Sequence, residues 1–192
     1  MKKPLIILTG PTAVGKTKLS ISLAQAVNGA IISADSMQVY RHMDIGSAKI
    51  RPEEMCGVPH YLIDVLDPSE EFHVVKFVEL AHEAMEKIYA AGQIPIVTGG
   101  TGFYIQALLK EVDFTESHGE LPIRKQLEEK AATEEGAAEL YRELSEVDPA
   151  SAETIHPNNV KRVIRALEYY HETGQKISEH NEEQKQKESP YL

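Results

Sequence analysis

The stretch "PLIILTGPTAVGKTKLSISLAQAV", residues 4–27, decides the fold. Its first seven residues are an apolar run ending in glycine, the pattern of a parallel strand buried on both faces. Its last twelve, "KTKLSISLAQAV" at 16–27, have helical spacing. Leu19, Leu23 and Val27 recur every four residues, Ile21 and Ala24 lie alongside, and Asn28-Gly29 ends the run. Between strand and helix sits "GPTAVGKT" at 10–17, where Gly10, Gly15, Lys16 and Thr17 fill every fixed position of G-x-x-x-x-G-K-[ST]. Gly10, Pro11, Thr12, Ala13, Val14 and Gly15 thus form a turn whose backbone N–H groups can wrap an anion at the positive end of the next helix. Lys16 adds a cation, and the Thr17 hydroxyl can ligate Mg²⁺. The loop predicts phosphate binding. It does not separate the end of ATP from the diphosphate of another substrate held as a leaving group.

Working outward, "AIISAD" at 30–35, "HYLIDVLD" at 60–67 and "IPIVTGG" at 94–100 read as further strands. "FHVVKFVELAHEAMEKIYAAG" at 72–92 is a long helix stopped by Gly92, and "TGFYIQALLKEV" opens another. Strands alternating with helices predict an α/β domain built on a parallel sheet. From residue 114 to 188 only helical patterns remain, so the organisation is a core over 1–113, a helical insertion over 114–188, and "SPYL" at 189–192 as the start of a return to the core.

Asp35 directly follows an apolar strand, which places it at the carboxyl edge of the sheet, where ligands of open α/β sheets gather. Three roles suit it there: holding Mg²⁺ through water, acting as a general base, or serving as an ordinary turn residue. Ser36 and Gln38 add polar groups suited to a base edge or to solvent. "VTGGTGFY" at 97–104 repeats the strand–glycine–helix layout, and Thr101 there either caps the helix or meets substrate. In "HPNNVKRVIRALEYYHETG" at 156–174, Val160, Val163, Ile164 and Leu167 share one helix face, while Lys161, Arg162 and Arg165 lie together on another. That cationic stripe reads either as an RNA-backbone contact or as surface charge paired with Glu168 or Glu172. Arg124 in "LPIRKQL" is a weaker candidate of the same kind.

The totals limit the alternatives. The 192 residues are 42% hydrophobic and 26% charged, ordinary for a globular protein, and no apolar run reaches membrane-spanning length. A net charge of −10 argues against a non-specific nucleic-acid coat but allows a local basic patch. Cys56 is the only cysteine, which excludes an intrachain disulfide and fits a reducing cytoplasm. The histidines show no metal-ligand spacing, so no zinc site is expected. No sticky helical seam is evident, so a monomer is expected.

In order along the chain, "GPTAVGKT", "SADSMQVYRHMDIGSAK", "VPHYLIDVLDP", "GGTGFYIQALL" and "IHPNNVKRVIRALE" resemble the tRNA dimethylallyltransferases, also called tRNA isopentenyltransferases, over nearly the whole sequence. The resemblance implies a P-loop NTPase-like parallel sheet flanked by helices, with an all-helical insertion lobe. It implies that the loop holds the diphosphate of dimethylallyl diphosphate with Mg²⁺. The acceptor would be N6 of the adenosine 3′ of the anticodon, in tRNAs reading codons that begin with U. It makes Asp35 the general base, puts Thr101 at the reacting site, and lines the tRNA side with Ser36, Met37 and Gln38. Arg124, Lys161, Arg162 and Arg165 would grip the anticodon stem-loop. Two positions depart from the family pattern: Ser47 replaces a frequent Thr, and Lys161 stands where Gln is frequent. Members usually continue beyond "SPYL", so a further core strand is expected past this sequence. A kinase with the same core would need an arginine-bearing lid, for which "FTESHGELPIRKQLEEK" is a thin candidate. An adenylate isopentenyltransferase would have no use for a basic helical lobe. A non-catalytic RNA binder would have no need of intact Lys16, Thr17 and Asp35.

Overall fold

The computed structural model describes residues 2–11, 14–112 and 122–192. These fall into two compact units, one running to Val112 and taking in Glu188–Leu192, the other ending at Lys187. The expected boundary at 113/114 lies outside the described residues.

The first unit is a parallel sheet of β1 (Ile6–Thr9), β2 (Gly29–Ser33), β3 (His60–Tyr61) and β4 (Ile94–Gly99), in the order β1-β4-β2-β3. Alternation along the strands divides its core. Ala30, Ile32 and Val97 face one way and pack with Phe77, Ala81, Met85 and Ile88 of α2 (Val74–Ala90) and with Ile105 and Leu108 of α3 (Gly102–Lys110). Ile31 and Ile96 face the other way and meet Ile21 and Ala24 of α1 (Lys16–Val27). Phe77 and Ile88 are fully buried, and each such side chain stabilises the fold by about 1.5–3 kcal/mol.

Two expectations need correcting. The buried face of α1 is Ser20, Ile21 and Ala24, whereas Leu19 is 56% exposed. Ser20, Ile21 and Ala24 follow one another at helical spacing on that face. The strand read over 60–67 is two residues long. Leu62 and Asp64 take left-handed backbone angles, φ 61° and 54°, and turn the chain out of the sheet. Leu66 regains only a bridge to Tyr40.

At the other edge, Tyr191 bridges Lys3 in parallel, Leu192 N–H donates to Lys3 O, and Leu5 N–H donates to Leu192 O. Residues 191–192 therefore lie beside the chain leading into β1.

The described residues of the second unit are helical: α4 (Pro122–Lys130), α5 (Glu134–Val147), α6 (Pro149–Thr154), α7 (Val160–Thr173) and α8 (Ile177–Gln186). Leu127, Leu140, Leu144, Val163, Ile164 and Leu167 form its core, so the apolar stripe read on the helix of 156–174 is the buried face of α7. Asp148 is its polar anchor. This carboxylate, 2% exposed, caps α6 through Ser151 N–H (3.1 Å) and Ser151 Oγ (2.7 Å). It also accepts from Ser178 N–H (3.0 Å) and Ser178 Oγ (2.6 Å) at the start of α8. Burial pushes this carboxyl up, but the bonds from Ser151 and Ser178 outweigh it and hold the group below the ordinary aspartate value.

Candidate active site

Three strand ends converge at the carboxyl edge of the sheet. Thr9 of β1 pairs with Gly99, and Ser33 of β2 pairs with Thr98, so β4 stands between the two. Beyond these rungs Gly10 starts the phosphate loop, Asp35 follows Ala34, and Gly100-Thr101 turns into α3. Neighbouring strands are about 4.8 Å apart, so the loop and Asp35 leave the sheet about 10 Å from each other, flanking the second glycine turn. Ala34 N–H donates to Thr98 O at 2.8 Å, and Thr9 Oγ1 donates to Gly99 O at 3.4 Å, which ties the three ends together.

In the phosphate loop, Gly15 caps α1 with φ 87°, a left-handed angle that favours glycine. Lys16 Nζ donates to Gly10 O at 2.7 Å and also to Pro11 O, which holds the ammonium over the loop's own carbonyls. Thr12 and Ala13 lie outside the described residues. Val14 is exposed. The Thr17 hydroxyl has no hydrogen-bond partner among the described residues, and Thr17 lines two cavities, of about 1160 Å³ and about 30 Å³. No cluster of three or more His, Cys, Asp or Glu ligands exists among the described residues. That donor set fits Mg²⁺, which takes one or two protein oxygens and completes its shell with water and phosphate oxygens.

Asp35 makes the turn that its residue type favours. Oδ1 accepts from Met37 N–H at 2.9 Å and from Gln38 N–H at 3.3 Å. Oδ2 has no protein partner among the described residues. Ser36 is half-buried, and Met37 is 43% exposed. Gln38 is committed to the fold: Oε1 accepts from Ser33 Oγ at 3.1 Å, and Nε2 donates to Ser47 O and Ala48 O at 3.2 and 3.3 Å. Thr101 stands at the N-cap position of α3 without a side-chain capping bond, so its hydroxyl is not spent there.

The segment after Asp35 is braced at two further points. The rings of Tyr40, Phe72, Tyr104 and Phe77 form a chain, with centroid separations of 6.3 Å, 5.7 Å and 5.0 Å along it. Lys49, its side chain 5% exposed, donates to Tyr40 O (2.8 Å), Asp44 (2.8 Å) and Asp64 (2.6 Å). Burial lowers its pKa, but the bonds it donates to the two carboxylates, with their charges, more than offset this and leave the ammonium above the ordinary lysine value.

In the helical unit the four basic residues divide into two kinds. Arg165 Nη1 donates to Glu168 Oε2 at 2.9 Å, and Arg124 Nη1 reaches the same oxygen at 3.5 Å while its Nε donates to Glu128 at 3.0 Å. Lys161 and Arg162 are exposed and have no acidic partner among the described residues. Of the two alternatives for the stripe, pairing with Glu168 therefore holds for Arg165 and not for Lys161 or Arg162. Sequence reasoning missed Asp148, and read Glu168 as a surface partner of the stripe rather than the buried residue that also binds Arg124. Asp148 could have been found from "DPAS", an N-cap aspartate before a proline at the first helical position.

A family described as IPP transferase matches residues 38–192. A tRNA dimethylallyltransferase of Lachnoclostridium phytofermentans is 65% identical over 98% of this chain and 60% of its own length. Among solved structures, a eukaryotic dimethylallyltransferase acting on tRNA superposes with a TM-score of 0.84 at 41% identity, over 99% of this chain and 47% of that one. A tRNA isopentenylpyrophosphate transferase from Bacillus halodurans gives a TM-score of 0.60 at 48% identity, over 91% of this chain and 57% of that one. The chain thus spans about half to three-fifths of the length of these proteins. The match over most of its length, at these identities, shows that this chain belongs to the IPP transferase family.

Proposed function

We propose that this chain carries the donor site and an RNA-gripping lobe of a tRNA dimethylallyltransferase. The reaction transfers the dimethylallyl group of dimethylallyl diphosphate to N6 of the adenosine 3′ of the anticodon, in tRNAs reading codons that begin with U, and releases diphosphate. The observation that carries this reading is the carboxylate of Asp35. One oxygen is fixed by the turn and the other is open, at the same sheet edge as the phosphate loop.

The chemistry follows from the residues. The C1–oxygen bond of the allylic donor breaks, and its electron pair leaves with the diphosphate. Lys16 and the loop amides of residues 10–17 stabilise the charge that grows on that group. Mg²⁺, held through Thr17 and the diphosphate oxygens, would supply further neutralisation of the leaving group. The N6 lone pair forms the new bond to C1, and Asp35 Oδ2 takes the proton that N6 gives up. Thr101, uncommitted to capping, can hydrogen-bond at the reacting centre. Ser36 and Met37 face the acceptor side, and Gln38 serves it by fixing the loop. Arg124, Lys161, Arg162 and Arg165 contact the RNA backbone. The reading takes the protein as a cytoplasmic monomer, in keeping with one exposed, unpaired Cys56.

The test is transfer from labelled dimethylallyl diphosphate, with Mg²⁺, to an anticodon stem-loop bearing adenosine 3′ of the anticodon. AMP competes as acceptor, and ATP competes as loop ligand. Label in the RNA supports the reading. Label in AMP would move the chain to nucleotide prenylation, and tighter binding of ATP than of the prenyl donor, without transfer, would point to a kinase.

A further inference from the structure

We infer that Glu168 is a positioning residue for RNA binding, holding Arg124 and Arg165 side by side as a two-guanidinium clamp for a phosphate group. The inference rests on the RNA reading above and adds to it a residue that touches no substrate.

Glu168 is 0% exposed, in the middle of α7. Its Oε2 receives Arg165 from one turn earlier on the same helix and Arg124 from α4, forty-four positions away in sequence. Its Oε1 has no hydrogen-bond partner among the described residues. A buried carboxylate with one oxygen unsatisfied is expensive, and well-packed apolar residues commonly do as well or better at such a position. Stability therefore does not account for it. The arrangement of its partners does. The Arg165 and Arg124 side chains are 36% and 39% exposed, so both arginines are held by Glu168 and still reached by solvent. A guanidinium has five N–H donors, and these bonds use one on Arg165 and two on Arg124. The rest remain for the bidentate geometry that phosphate oxygens favour. Lys161 stands one turn before Arg165, and Arg162 three residues before it, so the clamp joins the cationic stripe of α7 to Arg124 of α4. The bond of Arg124 to Glu128, which is 54% exposed, is a solvated helix pair that a phosphate can replace.

A carboxylate that merely cancelled charge and one that positions predict opposite signs. Replacing Glu168 by Gln removes a negative charge from an RNA-binding face. If Glu168 only neutralised the arginines, Glu168→Gln would tighten RNA binding. If it positions them, binding weakens by about tenfold, the worth of one charge-assisted hydrogen bond, in spite of the added net positive charge.

The experiment titrates fluorescent anticodon stem-loop against the chain and its Glu168→Gln and Glu168→Asp variants across a salt series, with melting curves for each. The expected result is a loss in both variants, an unchanged KM for dimethylallyl diphosphate, and no added effect of Glu168→Gln in an Arg124→Ala/Arg165→Ala background. Should Glu168→Gln not fold, Glu168→Asp decides, since it keeps the charge and shortens the reach. Equal or tighter RNA binding by the folded variant overturns the inference alone. A wild-type chain that binds no stem-loop overturns the RNA reading and the inference with it.

Discussion

Gly99 passes so close to Ala34 that a β-carbon on it would stand 2.4 Å from the Ala34 carbonyl oxygen and 2.7 Å from the carbonyl carbon. Both contacts are backbone, so no side chain can swing away to make room. The approach brings the end of β4 against the end of β2, and Asp35 is the next residue after Ala34. Gly99→Ala is expected to cost at least about 1–3 kcal/mol in urea unfolding, by overpacking a rigid site. Diphosphate affinity should fall as well, since the turn lies between the phosphate loop and Asp35. An alanine variant with wild-type stability would mean that the two strand ends part easily.

One substitution can separate the turn that Asp35 makes from the base proposed for it. Asn keeps an Oδ1 acceptor for the Met37 and Gln38 N–H groups, so Asp35→Asn should retain the turn and the melting temperature. It cannot accept the N6 proton. Turnover of RNA is expected to drop by about 10²- to 10⁴-fold, with little change in KM for the prenyl diphosphate. Asp35→Ala should lose turnover and also loosen the loop, visible as faster amide exchange at Met37 and Gln38. Full turnover in Asp35→Asn would remove the base from the mechanism.

The contrast between the two units shows what sequence can and cannot specify. The sheet and its phosphate loop were legible because strand, glycine turn and helix are local patterns, and the α7 stripe because helical periodicity is local too. The truncation of β3 was not, since nothing in "HYLIDVLD" announces that Leu62 and Asp64 turn left-handed. Leu19 misled for a related reason: its four-residue spacing is real, but the face turned inward carries Ile21 and Ala24, and spacing alone does not choose between the two. For Asp35 the sequence left turn and chemistry as rivals, and the structure gives one carboxylate oxygen to the turn. Glu168 was legible as a surface partner of the stripe but not as a buried one, and Lys49 was not read, because charges are read as surface and their burial depends on partners distant in the chain.

Acid should unfold the helical unit through Asp148. Its folded-state pKa lies below the ordinary aspartate value of 3.8. The unfolded chain therefore takes up the proton first, and the stabilisation is present above that value and lost as pH falls through the folded value. Helix content of this unit is expected to resist denaturant equally from neutral pH down to about pH 5, then weaken below the ordinary aspartate range. Asp148→Asn should cost about 2–4 kcal/mol, because its amide cannot accept four donors, and should flatten the acid limb. An unchanged acid limb in that variant would assign the transition to other carboxylates.

Lys161 and Arg162 offer the cleanest separation of RNA binding from folding. Both are exposed on α7 and neither has an acidic partner among the described residues. Removing them costs the fold neither packing nor an ion pair, and Lys161→Ala or Arg162→Ala should melt within about 0.5 kcal/mol of the parent. Each contact to an RNA phosphate releases counterions, so each substitution should weaken stem-loop binding and reduce the slope of log K against log salt by roughly one. The loss should be similar for any anticodon sequence, because phosphate contacts position the RNA without reading its bases. Arg165→Ala should behave differently, losing RNA affinity and also stability, since it leaves the buried Glu168 short of its nearer partner. Equal salt slopes for the parent and for Lys161→Ala/Arg162→Ala would take these two residues out of the interface and leave the stripe to Arg124 and Arg165 alone.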